Sequence, residues 1–217
     1  MIKFSDVNGK KFVKDFHKVL KDMEKYVKDA RWLWHSREFT NFNLRAREIW
    51  SLWLLCVVFN RIGHTDLTFG ETDESSDGVL VDKKTGQTVL VENVAAMNFP
   101  GTSLPTGEER IIQAIMDKAS KGKHYAEGKV LVVFSDGAVK FEPNKIAKAV
   151  HGKHFFERIY VISLHTNDGG TNYSYIVLEL NPTNTQIAIV RIKDDFTDWD
   201  LIDPTKAFID VPSESHP

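Results

Sequence analysis

Cysteine is almost absent: Cys56 is the one thiol in 217 residues. That excludes an internal disulfide framework and a zinc site built from several thiolates. Long hydrophobic runs are missing too. The longest, Ile49 to Phe59, is interrupted by Ser51 and is too short to cross a bilayer. The opening residues, MIKFSDVNGKKF, contain no apolar core of signal-peptide length. Nor does one sign of charge dominate, since 28 lysines and arginines face 30 aspartates and glutamates for a formal net charge of −2. This excludes a wholesale basic coat for nucleic acid, though not a local basic patch balanced by acidic loops. Together these absences lead us to expect a reduced, soluble, cytoplasmic protein with no membrane partner. The composition that remains is 42% hydrophobic and 27% charged. At this length such a chain buries roughly 70% of its unfolded surface, which allows a sizeable core.

Residues 9 to 30 read as a helix, because Phe12, Phe16, Leu20, Met23 and Val27 recur at three- and four-residue spacing on one face. From Lys3 to Arg31 there are nine basic and five acidic residues. That excess fits a solvated helix face or a phosphate-facing arm. A second helix is expected over about 42 to 60, with Asn41 or Asn43 at its start and Gly63 just past its end. Its second half, IWSLWLLCVVF, is apolar nearly all round and belongs inside a packed domain. Trp32, Trp34, Trp50 and Trp53 read as core rather than as a base-stacking platform.

The period then shortens to two. Strands are expected over 66–69, 78–81 and 88–96, the last two joined as a hairpin by Asp82-Lys83-Lys84-Thr85-Gly86. A helix follows over about 108–125, then a buried strand over 129–134, a helix opened by Pro143, and a second buried strand over 158–164. Residues 173–180 and 186–192 form a further hairpin, and the acidic tail beyond Asp194 is expected to fray. With no repeat and no low-complexity linker, 1–217 reads as one domain: helices over 1–62, a core over 63–165, and a hairpin and tail over 166–217. The class is α/β or α+β, with a mixed central sheet flanked by helices.

Chemistry concentrates between residues 66 and 97. Asp66, Glu71, Asp73, Glu74 and Asp77 are five acids with no lysine or arginine among them. Most read as solvated loop residues. Asp77 differs because it immediately precedes a glycine and an apolar strand. Glu92 differs more, since it lies mid-strand between Leu90-Val91 and Val94-Ala95-Ala96. A carboxylate there loses hydration and needs a compensating cation or metal ion. The hairpin can bring the two acids to one end of the sheet, where two carboxylates and waters suit a hard cation such as Mg²⁺.

The order Asp-Gly-apolar strand, turn, apolar-apolar-Glu, helix, buried strand resembles the PD-(D/E)XK nuclease superfamily, which has the restriction-endonuclease-like fold. The likeness runs from about Glu48 to Leu164, on short motifs. It implies that 63–165 is a nuclease-like core and that Asp77 and Glu92 bind Mg²⁺, with Mn²⁺ as a substitute. Glu48, in Arg45-Ala46-Arg47-Glu48, would match the family's upstream helical glutamate. The implied activity is hydrolysis of a phosphodiester by activated water, in DNA before RNA. Many such nucleases pair to cut two strands, so a homodimer is compatible with the likeness.

Position 94 departs from the pattern. The family carries lysine two residues after this glutamate, on the same strand face, whereas here Val94 can neither donate a proton nor contact phosphate. Some related nucleases take that cation from the following helix. In EERIIQAIMDKASKGKHY, Lys118 lies at the edge of the apolar face made by Ile111, Ile112 and Ile115 and is assigned the displaced role. Gln113 and Lys121 are the candidate substrate contacts. The alternative is a catalytically inactive nuclease-like module that binds nucleic acid or a protein partner. Other signals are weaker. His151 and His154 read as a polar loop, His64 could face the site, and Cys56 reads as a small buried hydrophobe. Asp168-Gly169-Gly170 and Ser135-Asp136-Gly137 read as turns.

Overall fold

In the computed structural model the described residues are 24, 46–63, 65–70, 76–97, 105, 107–135, 141–167, 172–193 and 198–202. Apart from Glu24, the helix expected over 9–30 lies outside them, as do Trp32, Trp34, Asn41, Asn43, His64, Glu71, Asp73, Glu74, Asp136 and Asp168 to Gly170.

Eight strands make one sheet in chain order. They are β1 (Leu67–Gly70), β2 (Gly78–Asp82), β3 (Thr88–Ala96), β4 (Lys129–Ser135), β5 (Arg158–Asn167), β6 (Asn172–Glu179), β7 (Gln186–Lys193) and β8 (Trp199–Ile202). The pairs β3–β4 and β4–β5 are parallel and the rest antiparallel, so the sheet is mixed, as the pattern of strands and helices led us to expect. Among the described residues, four helices have both ends: α1 (Ala46–Ile62), α2 (Gly107–Ala119), α3 (Lys123–Ala126) and α4 (Pro143–Val150).

Strand periodicity divides the core. On one face, α1 packs against Val91, Val130, Val132, Phe134, Tyr175 and Val190. Here Trp50 is wholly buried and stacks on Trp53 at 4.8 Å, with Tyr175 edge-on at 5.6 Å, so these two tryptophans are core. On the other face, α2 and α4 cover Ala96, Leu131, Val133, Ile159 and Val161. Both helices occupy that face because two successive crossovers of one hand, stepping the same way across parallel strands, must. All seven residues of β4 are buried between these layers. Among the described residues, no helix is long and apolar enough to cross a membrane.

Two expectations are corrected. The helix expected over 108–125 is two helices, because Gly122 adopts φ +88°, a left-handed conformation that ends α2 and restarts the chain as α3. The tail expected to fray carries β8, which pairs with β7 from Ile189 opposite Ile202 to Ile192 opposite Trp199. Alternating side chains explain it: Leu201 packs on the α1-side core and Trp199 meets Trp53 edge-on at 5.5 Å.

Candidate active site

The β2–β3 register sets Gly78 opposite Val91. Just before that paired segment, Asp77 donates its N–H to the Val91 carbonyl at 3.0 Å, next to Glu92 in the chain of β3. Two carboxylates brought this close repel. A cation must intervene, and α2 supplies it. The Lys118 ammonium lies 2.8 Å from Glu92 Oε2 and 3.8 Å from Asp77 Oδ2. The Asn93 backbone N–H donates to Asp77 Oδ2 at 2.6 Å and holds that carboxylate against the strand.

The glycine after Asp77 has a packing reason. A Cβ at Gly78 would stand 2.5 Å from Leu52 Cδ1 of α1, and Leu52 is wholly buried. The Asp-Gly pair therefore presents a carboxylate on the α2 side while letting α1 approach the strand on the other.

Glu92 is the hub. It is 3% exposed. Its Oε2 accepts from Lys118 and from the Tyr125 hydroxyl, and its Oε1 accepts from the Lys129 ammonium at 3.1 Å. Lys118 also donates to the Tyr125 oxygen at 3.0 Å. The Tyr125 ring lies beneath three ammonium groups: Lys121 at 4.5 Å from its centroid, Lys129 at 4.7 Å and Lys118 at 5.7 Å.

Burial pushes the Glu92 carboxyl up, but the bonds from Lys118, Tyr125 and Lys129 outweigh it and hold the carboxyl below its ordinary value. Burial likewise opposes the Lys118 charge, and Glu92, Tyr125 and Asp77 more than restore it, leaving the ammonium above its ordinary value. Burial and the Glu92 carboxylate push the Tyr125 phenol up to about 12. These shifts keep Glu92 a carboxylate, Lys118 an ammonium and Tyr125 a neutral phenol at neutral pH. Lys118 is there a hydrogen-bond donor and a fixed positive charge.

The remaining sequence candidates fall as follows. Val94 shares the Glu92 face, and Lys118 reaches that face from the helix. Glu48 sits on α1 across the sheet, 5% exposed, with Arg47 at 3.8 Å. It approaches the site through its helix: the Ser51 hydroxyl lies 2.9 Å from the Glu48 carbonyl oxygen and 2.9 Å from Asn93 Oδ1. Gln113 is exposed and its amide donates to Asp117 at 2.6 Å, one turn along α2, apart from the carboxylates. Lys121 is exposed beside Tyr125. Asp66 pairs with Lys83 at 2.8 Å on the surface. Cys56 is buried, and burial pushes its thiol up to about 12, consistent with an inert core residue. His154 is half-buried against Phe156, and burial lowers its imidazole.

Sequence reasoning passed over Lys129 and Tyr125. The signal for Lys129 was available: a lysine opening the wholly apolar run Val130 to Phe134 has the same need for an opposite charge that singled out Glu92. Tyr125 carried none, since its place depends on the break at Gly122.

Among the described residues, no three His, Cys, Asp or Glu side chains are grouped closely enough to hold a metal ion. The Asp77 and Glu92 carboxylates both face the Lys118 ammonium. Carboxylate oxygens are the hard donors that Mg²⁺ and Mn²⁺ take, and here both Glu92 oxygens are engaged by ammonium and phenol groups.

Compared with known proteins, the chain matches no family model and no curated protein.

Proposed function

We propose that the protein is a divalent-metal-dependent nuclease of the PD-(D/E)XK type with a restriction-endonuclease-like core, hydrolysing phosphodiester bonds in nucleic acid, DNA foremost. One observation carries the reading: Asp77 and Glu92 meet at the end of a hairpin, where Lys118 of the following helix contacts both. The order hairpin, helix, parallel buried strand agrees with the family's core.

Asp77 and Glu92 would hold the metal, which when bound polarises the phosphate and lowers the pKa of water. Lys118, held protonated, supplies positive charge to the phosphate in the transition state and can hand a proton to the leaving oxygen. Lys129 keeps Glu92 ionised from beneath. Lys121, exposed next to this group, is placed to contact an adjacent phosphate. Glu48 lies behind β3, and its backbone carbonyl, not its carboxylate, meets the Ser51 hydroxyl that reaches Asn93.

A second reading is a non-catalytic nuclease-like module that binds nucleic acid or a protein partner. It is favoured by Val94 and by Lys118 and Lys129, whose charges already balance those of Asp77 and Glu92. Calorimetry with Mn²⁺ alone separates the two. The nuclease reading expects one site per chain, lost in Asp77→Asn; no binding at millimolar Mn²⁺ favours the module.

A further inference from the structure

We propose that Tyr125 is a positioning residue of this site: its hydroxyl fixes the Lys118–Glu92 pair, and its ring holds Lys121 ready for a substrate phosphate. The inference rests on the nuclease reading above and adds to it a group outside the PD-(D/E)XK pattern.

The hydroxyl is shared. It donates to Glu92 Oε2 and accepts from Lys118 at 3.0 Å, so carboxylate, ammonium and phenol close a three-membered ring of contacts. A lysine held by one acceptor swings on its four-carbon stem, whereas one held by two points in a single direction. The aromatic ring does separate work. Three ammonium groups gathered within 6 Å of one point repel each other, and the negative π face offsets that repulsion. Lys118 and Lys129 are committed to Glu92, whereas Lys121 is exposed, which leaves its charge for an incoming anion.

Backbone geometry makes the arrangement. On an unbroken helix Tyr125 would lie seven residues beyond Lys118, about 10 Å along the axis. The left-handed Gly122 folds the chain back, so that Tyr125 returns beneath Lys118 and Lys121. Phe156, buried and edge-on to the ring at 6.3 Å, anchors it there.

Tyr125→Phe keeps the ring and deletes the hydroxyl; Tyr125→Leu deletes both. The readouts are kcat and KM for cleavage of duplex DNA with Mg²⁺, and the NMR order parameter of the Lys118 ammonium without metal. Tyr125→Phe is expected to lower kcat by about ten- to a hundredfold, the worth of one hydrogen bond to a charged group. KM should stay unchanged and the Lys118 order parameter should fall. Tyr125→Leu should also raise KM by the factor seen in Lys121→Ala, and adding Lys121→Ala to it should raise KM no further. A Tyr125→Phe enzyme with kcat within twofold of wild type overturns the proposal, as does an unchanged Lys118 order parameter. If the wild type cuts nothing, the nuclease reading fails, and the Lys118 order parameter still decides whether Tyr125 positions the pair.

Discussion

Replacing Glu92 by alanine removes at once the acceptor for two lysines and a phenol. The Glu92 side chain is 4% exposed, that of Lys129 10% and that of Lys118 16%, so water cannot replace what is lost. Lys118 retains Asp77 at 3.8 Å, while Lys129 loses the carboxylate that it meets at 3.1 Å. Stripping one partner from a buried ion pair costs about 3–5 kcal/mol, because an uncompensated charge is left behind. In a protein of this size that lowers Tm by roughly 6–20 °C. Chemical denaturation of wild type and Glu92→Ala measures it, with an unchanged m-value showing that the unfolding reaction is the same. The second half of the test is Glu92→Leu/Lys129→Met, which replaces the buried charges by apolar groups of similar size. It should recover at least half the loss, since the penalty lies in the buried charge left unbalanced. A Glu92→Ala loss below about 1 kcal/mol would refute the view of Glu92 as a buried hub.

Four further outcomes are expected. The Glu92 carboxyl is held below its ordinary value in the folded state, so its stabilisation is present above about pH 4.3, the unfolded value, and is lost as pH falls through the lower folded one. The stability gap between wild type and Glu92→Gln should therefore narrow on acidification, as denaturation at pH 7 and pH 3.5 will show. Gly122→Ala forces a β-carbon into φ +88° and should cost about 1–2 kcal/mol by denaturant titration. Gly78→Ala drives a methyl against the buried Leu52 and should cost about 1–3 kcal/mol in the same assay. Lys118→Ala should reduce kcat for DNA cleavage by about a hundredfold or more, while Lys153→Ala, in an exposed loop, should leave it within twofold.

The legible parts of the fold were those encoded locally. Alternation over 88–96 and the Asp82–Gly86 turn announce the β2–β3 hairpin, whose pairing of Gly78 with Val91 brings the neighbouring Asp77 and Glu92 to one end of the sheet. Glu92 stood out because a charge inside an apolar strand must be compensated, and Lys118 because it borders the apolar stripe of its helix. What stayed hidden depends on contacts remote in sequence. β8 is short, and its Trp199 and Leu201 gain meaning only against Trp53 and β7. The return of Tyr125 to Lys118 turns on a single backbone angle at Gly122, a glycine that also fits within a weak helix. Glu48 was matched by its place in the chain, which says nothing of the sheet face its helix covers; α1 lies opposite α2.

The most direct measurement is cleavage of plasmid, linear duplex, single-stranded DNA and RNA with Mg²⁺ or Mn²⁺, comparing wild type with Asp77→Asn/Glu92→Gln. The expected result is metal-dependent cutting of DNA by the wild type and none by a double variant that still unfolds cooperatively. Undiminished cutting by the variant, or no cutting of any substrate by the wild type, would contradict the assignment of Asp77, Glu92 and Lys118 as a nuclease site.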